Sequence, residues 1–147
     1  MFIHLILPAK ITGSEVDLMT LASDIVFSAV VPVLFGEGIL PQTHHEFKHF
    51  QKQFDQFDSN FEHGAKLPDF LLKEWSKSKY FLLDVFGKAL QKKTYANVED
   101  TLLQAMVESL EGDCAPNYAT LLLWASHANA VPITFWTLAF VLSDQGI

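Results

Sequence analysis

The sequence predicts an all-α chain of about five helices, and three observations carry that prediction. Phenylalanines recur alternately three and four apart from Phe47 to Phe61, apolar residues recur at helical period from Leu71 to Leu90, and an uncharged run extends from Leu121 to Leu142. Strand signals are absent, as are internal repeats and low-complexity tracts.

In chain order, Met1 to Leu7 are apolar but have no lysine or arginine ahead of the short run, so no targeting segment is read there. Between Ser14 and Phe35 the residues Val16, Met19, Ile25, Val26, Ala29, Val30 and Val33 make a helix that is apolar nearly all round, begun by Ser14 or Asp17 and interrupted by Asp24. That pattern is a buried helix. Pro32 should bend or stop it, and Gly36 and Gly38 then open a turn that Pro41 closes.

The segment with Phe47, Phe50, Phe54, Phe57 and Phe61 carries Lys48, Gln51, Lys52, Gln53, Asp55 and Asp58 between them, which gives a helix with one aromatic face. Such a face is core or the wall of a ligand cavity, and core is the plainer reading. Asn60 to Pro68 reads as a loop. Beyond it Leu71, Trp75, Leu82, Phe86 and Leu90 define one face of a long amphipathic helix whose other faces take Lys73, Lys77, Lys79 and Lys88. A shorter helix follows from about Val98 to Gly112, with Asn97 as cap. The last helix, Leu121 to Leu142, is long enough to span a bilayer, and equally suited to the interior of a large protein. His127, Asn129 and Pro132 near its middle oppose the spanning reading.

A chain of 147 residues that is 50% hydrophobic supplies one domain or part of one. Its positive mean hydropathy leaves apolar surface for a partner, a membrane or further sequence. Seventeen acidic against ten basic residues, net charge -7, exclude nucleic acid as a partner class. Cys114 has no second cysteine to pair with, which excludes an internal disulfide and fits a reducing compartment.

Two motifs bear on chemistry. His45-Glu46-Phe47-Lys48-His49 spells H-E-x-x-H, in which two imidazoles one turn apart hold zinc and the glutamate acts as base. The extended form fails, because Lys52 stands where glycine should be and Asp55 where histidine should be; only Glu62 and Glu74 remain as distant carboxylates, and no metal site is assigned. Cys114 lies in Gly112-Asp113-Cys114-Ala115-Pro116, without the glycine-bearing loop of a haem-thiolate ligand. His127 and Asn129 are either satisfied core groups or face a cavity. Pro132 favours the cavity, because an interior proline leaves a carbonyl near Ala128 without its donor beside Asn129.

The run L-L-L-W-A-S-H-A-N-A-V-P-I-T-F-W-T-L-A-F-V-L-S, Leu121 to Ser143, resembles the long central helix of the cytochrome P-450 branch that contains sterol 7α-hydroxylases, a sterol 12α-hydroxylase and prostacyclin synthase, where W-A-x-x-A-N-x-x-P-x-x-F-W is characteristic. Upstream, F-K-H-F-Q-K-Q-F-D-Q-F-D-S-N-F-E-H-G-A-K-L-P-D-F-L-L-K-E-W-S-K-S-K, Phe47 to Lys79, is similar to the helices and loop that roof the substrate cavity in the oxysterol 7α-hydroxylase type. The likeness covers 13–143, leaves 1–12 unmatched, and makes 1–147 a single partial P-450 domain ending in the helix over the haem.

What the resemblance implies is a haem b monooxygenase that hydroxylates an oxysterol in bile acid metabolism, with NADPH electrons from a cytochrome reductase, on the endoplasmic reticulum membrane. Most families of that superfamily place an acid and a threonine at this point of the helix; here Ala128 and Asn129 lie over the distal haem face, with Asn129 as the polar group on the oxygen side. Trp124, Ala128, Val131 and Pro132 would wall the sterol cavity, and Leu67, Pro68 and Phe70 would gate entry from the membrane surface. The anchor, the first helices and strands, the E-x-x-R pair and the cysteine loop of the family are missing from these residues, so the expectation is a catalytically silent piece of an oxidoreductase. Two other readings stand beside it: a small single-pass membrane protein spanning at 121–142, and an H-E-x-x-H zinc hydrolase.

Overall fold

Asp17 starts the first helix. Its Oδ2 accepts the backbone N–H of Thr20 at 2.8 Å and the Thr20 hydroxyl at 2.7 Å, so it caps a free amide of the first turn. The same two bonds, side chain first, hold the Asp17 carboxyl below its ordinary value. Helix α1 runs Leu18–Phe35. Pro32 lies inside it and does not stop it; the helix ends three residues on, where Gly36 takes a φ of 85° that favours glycine and donates its N–H to the Pro32 carbonyl.

The structure is a computed structural model and describes residues 17–36, 43–91, 102–109 and 114–144. After α1 come α2 (His44–Asp58), α3 (Phe61–Gly64), a 3₁₀ turn (Asp69–Leu71), α4 (Lys73–Gln91), α5 (Leu102–Ser109) and α6 (Ala115–Asp144). The described residues are 90% helical and contain no strand, so the all-α prediction holds. The expected starts at Ser14 and Asn97, the Gly38–Pro41 turn, the Gly112 end and Met1 to Leu7 lie outside the described residues. The expected loop Asn60 to Pro68 contains the helical turn α3.

By contacts the chain forms two compact units, Met1–Val31 with Leu123–Ile147, and Pro32–Leu122. The second is built on α2 and α4. Thr43 caps α2 in a reciprocal box with Glu46. The α2 face Phe47, Phe50, Phe54 and Phe57 is buried, as a stripe at alternating three and four spacing should be. Its partner is the α4 face of Trp75, Ser78, Leu82, Phe86 and Ala89, also buried. Phe50 meets Phe86 edge-on at 6.4 Å, and the Ser78 hydroxyl donates to Gln53 Oε1 at 2.9 Å. Leu71, expected on that face, is instead exposed in the 3₁₀ turn, one residue outside the helix register.

Candidate functional site

In the first unit, His127 and Asn129 part company. His127 is buried: its ring lies 5.0 Å from that of Phe27, and Nδ1 pairs with the Leu123 carbonyl at 2.8 Å. It is a core histidine whose Nδ1 is satisfied one turn back along its own helix. Asn129 is exposed, and its Nδ2 donates to the Ala125 carbonyl at 3.3 Å. Helix α6 passes unbroken through Pro132.

At about 100° per residue, Ala125, Asn129, Pro132, Ile133, Trp136 and Phe140 share one stripe of α6, and all six are exposed. Ile133 at 65%, Trp136 at 58% and Phe140 at 70% make this an open apolar face with Asn129 as its polar group. Ala128 is exposed at the edge of that stripe, and Trp124 and Val131, one turn before and one turn after it on the row that Ala128 shares with them, are half-buried. Of the residues expected around the haem, Asn129 and Pro132 lie in the exposed stripe, Trp124 and Val131 lie on the half-buried flank, and Ala128 stands between the two.

An open apolar face with one amide fits the distal side of a flat macrocycle. Among the described residues no donor set is assembled for the other side. Cys114 is exposed, and its carbonyl accepts from Asn117 and Tyr118 at the first turn of α6, so it starts that helix. Among the described residues no three of His, Cys, Asp and Glu group to hold a metal ion. In the H-E-x-x-H stretch Glu46 Oε2 takes the Thr43 hydroxyl at 2.7 Å in the cap of α2, and the His49 ring stands edge-on to Phe81 at 5.0 Å.

By length and composition two helices suit a bilayer, α1 and α6. Only 6% of the most apolar stretch of α6 is buried, which an uncovered wall and a membrane span would share.

In the second unit, Leu67, Pro68 and Phe70 are exposed in the segment between α3 and α4, Phe70 at 71%. Asp69, between them, fastens that segment. Lys79 Nζ reaches Asp69 Oδ1 at 2.8 Å and Oδ2 at 2.6 Å, Tyr80 donates its hydroxyl to Oδ2 at 2.7 Å, and the Ser76 hydroxyl bonds the Asp69 carbonyl at 2.9 Å. Hydrogen bonding from Lys79, then from Tyr80, holds the Asp69 carboxyl below its ordinary range, and the Asp69 bond pushes the Tyr80 phenol up. Lys79 also lies 4.9 Å over the Trp75 ring and 4.7 Å over that of Tyr80.

Beside this clamp is a groove of about 240 Å³ lined by Phe57, Phe61, Trp75, Leu83 and Leu121 and by Lys79. The plain reading of the phenylalanine stripe as core holds for Phe47 to Phe54, while Phe57 and Phe61 also line the groove. The clamp escaped sequence reasoning, since ten positions across a turn is no helical spacing. The cap at Thr43 was open to it as T-x-x-E ahead of an aromatic helix.

Over 144 residues, 92% of this chain, the sequence is 39% identical to the 24-hydroxycholesterol 7-alpha-hydroxylase of Homo sapiens. Over 142 residues, again 92% of the chain, it is 38% identical to that of Mus musculus. The chain spans 31% and 30% of the lengths of these relatives. No protein-family model matches the chain, and no solved structure matches it.

Proposed function

We propose that this chain, a partial relative of 24-hydroxycholesterol 7α-hydroxylase in the cytochrome P-450 superfamily, supplies the cavity roof and the distal wall of an oxysterol-hydroxylating monooxygenase. The observation that carries the reading is similarity over 92% of the chain. Consistent with it, Asn129 is set in the exposed apolar stripe of α6, the face a porphyrin would cover. In the complete enzyme haem b would be the oxygen-activating group, NADPH the electron source through a reductase, and the endoplasmic reticulum membrane the source of sterol.

On this reading each residue present has a physical task. Ala128 leaves room for a flat group to approach α6. Asn129 offers both an amide donor and a carbonyl acceptor to oxygen-side chemistry in an apolar, water-poor setting, where one polar group counts for more than in water. Pro132 frees the Ala128 carbonyl from its usual donor. Trp124 and Val131, half-buried on the flank that Ala128 shares, would form the side wall of the sterol cavity. Leu67, Pro68 and Phe70 present the apolar contact through which a sterol enters.

The test is a chimera in which these residues replace the matching stretch of the human relative. Asn129→Ala should lower the sterol hydroxylated per NADPH consumed several-fold at unchanged haem content. Equal coupling in the variant and its parent would overturn the role given to Asn129.

A second reading, the single-pass membrane protein, is favoured by the low burial of α6. Protease protection of tags placed on either side of 121–142 separates the two.

A further inference from the structure

We propose that the groove beside α4 binds a free single-chain carboxylate, its alkyl tail against Phe57, Phe61, Trp75 and Leu83 and its head group on Lys79, where Asp69 now stands in its place. The inference does not rest on the oxygenase reading.

Four observations meet here. The walls are almost wholly apolar, and Lys79 is the one charged side chain that lines them, so the groove matches an apolar body with one negative end. At about 240 Å³ it is smaller than the roughly 300–1,000 Å³ of sites for drug-sized ligands, which suits a narrow chain. The Lys79 side chain lines the groove, and its ammonium lies 4.9 Å from the Trp75 ring that also lines it. It already holds a carboxylate in two-point contact, that of Asp69.

Asp69 belongs to the short connecting turn, and the pair is partly exposed, with side-chain accessibilities of 23% for Lys79 and 38% for Asp69. Ion pairs of this kind contribute little net to a fold. Exchange of one carboxylate for another on Lys79 is then nearly balanced in its polar part, and burial of the tail supplies the gain. The occupant would displace Asp69 and so release the Leu67 to Leu71 segment from α4.

Isothermal titration of the full chain with decanoate, below its micelle concentration, tests this. One equivalent should bind, about tenfold more tightly than decan-1-ol, as expected for one charge-assisted contact. Lys79→Met should lose that preference, and Lys79→Arg should keep it. Asp69→Asn, which removes the internal competitor, should tighten binding several-fold. The indole N–H resonance of Trp75 should shift on binding. Absence of binding, equal affinity for the alcohol, an unmoved Trp75 signal, or an Asp69→Asn variant that binds no better would each overturn the proposal. Should Lys79→Met fail to fold by circular dichroism, the arginine and Asp69→Asn variants carry the test.

Discussion

Trp75 lays its ring parallel to that of Phe57, centroids 5.5 Å apart, and donates its indole N–H to the Phe57 carbonyl at 2.9 Å. One side chain of α4 thus packs on the last buried phenylalanine of α2 and satisfies a carbonyl of its final turn. Gly64 completes the arrangement, since a Cβ there would stand 2.2 Å from the Trp75 ring.

Gly64→Ala therefore has no way to be accommodated without moving an anchored indole. It should destabilise the chain by about 1–3 kcal/mol, the usual cost of overpacking. Trp75→Phe keeps the stacking but orphans the Phe57 carbonyl, at about 1–3 kcal/mol. Urea denaturation followed by far-ultraviolet circular dichroism checks both; a Gly64→Ala variant as stable as its parent would remove the close approach.

The capping box of α2 assigns Glu46 to structure. Thr43→Ala should cost about 0.5–2 kcal/mol in the same denaturation assay. His45→Ala with His49→Ala should leave the metal content of the purified protein unchanged by plasma mass spectrometry. Stoichiometric zinc that the double variant loses would restore the hydrolase reading.

Acid should loosen the segment between α3 and α4. Because the carboxyl of Asp69 is held below its ordinary value of 3.8, its contribution is present above the unfolded-state pKa and is lost as pH falls through the folded one. The Tyr80 phenol, pushed above 10.0, contributes below that pH and loses its contribution as pH rises through the raised value. Proteolytic nicking of Leu67 to Leu71 should hence rise at both extremes. In Asp69→Asn both pH dependences should flatten; a variant that keeps them would place their source elsewhere.

The helices were legible because burial imposes a period. Helix α6 was legible from the length of its uncharged run, whereas the phenylalanines of α2 and the faces of α4 follow from 3.6 residues per turn. So did the placing of His127 and Asn129 on different faces, had the period been applied to the pair: two positions apart, they point about 200° from each other. What no period encodes is the fastening of Asp69 by Lys79 and Tyr80, a contact made by a turn folding back on the helix after it. The exposure of Leu71 follows from the same turn, which takes it out of the α4 register. The apolar stripe of α6 shows the opposite limit, since the sequence announces the apolar residues and only the structure shows which of them lie open.

The central claim is that α6 presents a distal wall to haem. The most direct measurement is the carbon-monoxide difference spectrum of the reduced chimera, in which these residues replace the matching stretch of the human 24-hydroxycholesterol 7α-hydroxylase. The account predicts a thiolate-type Soret band of parental intensity. A folded chimera that incorporates no haem, or binds it without that band, would contradict it.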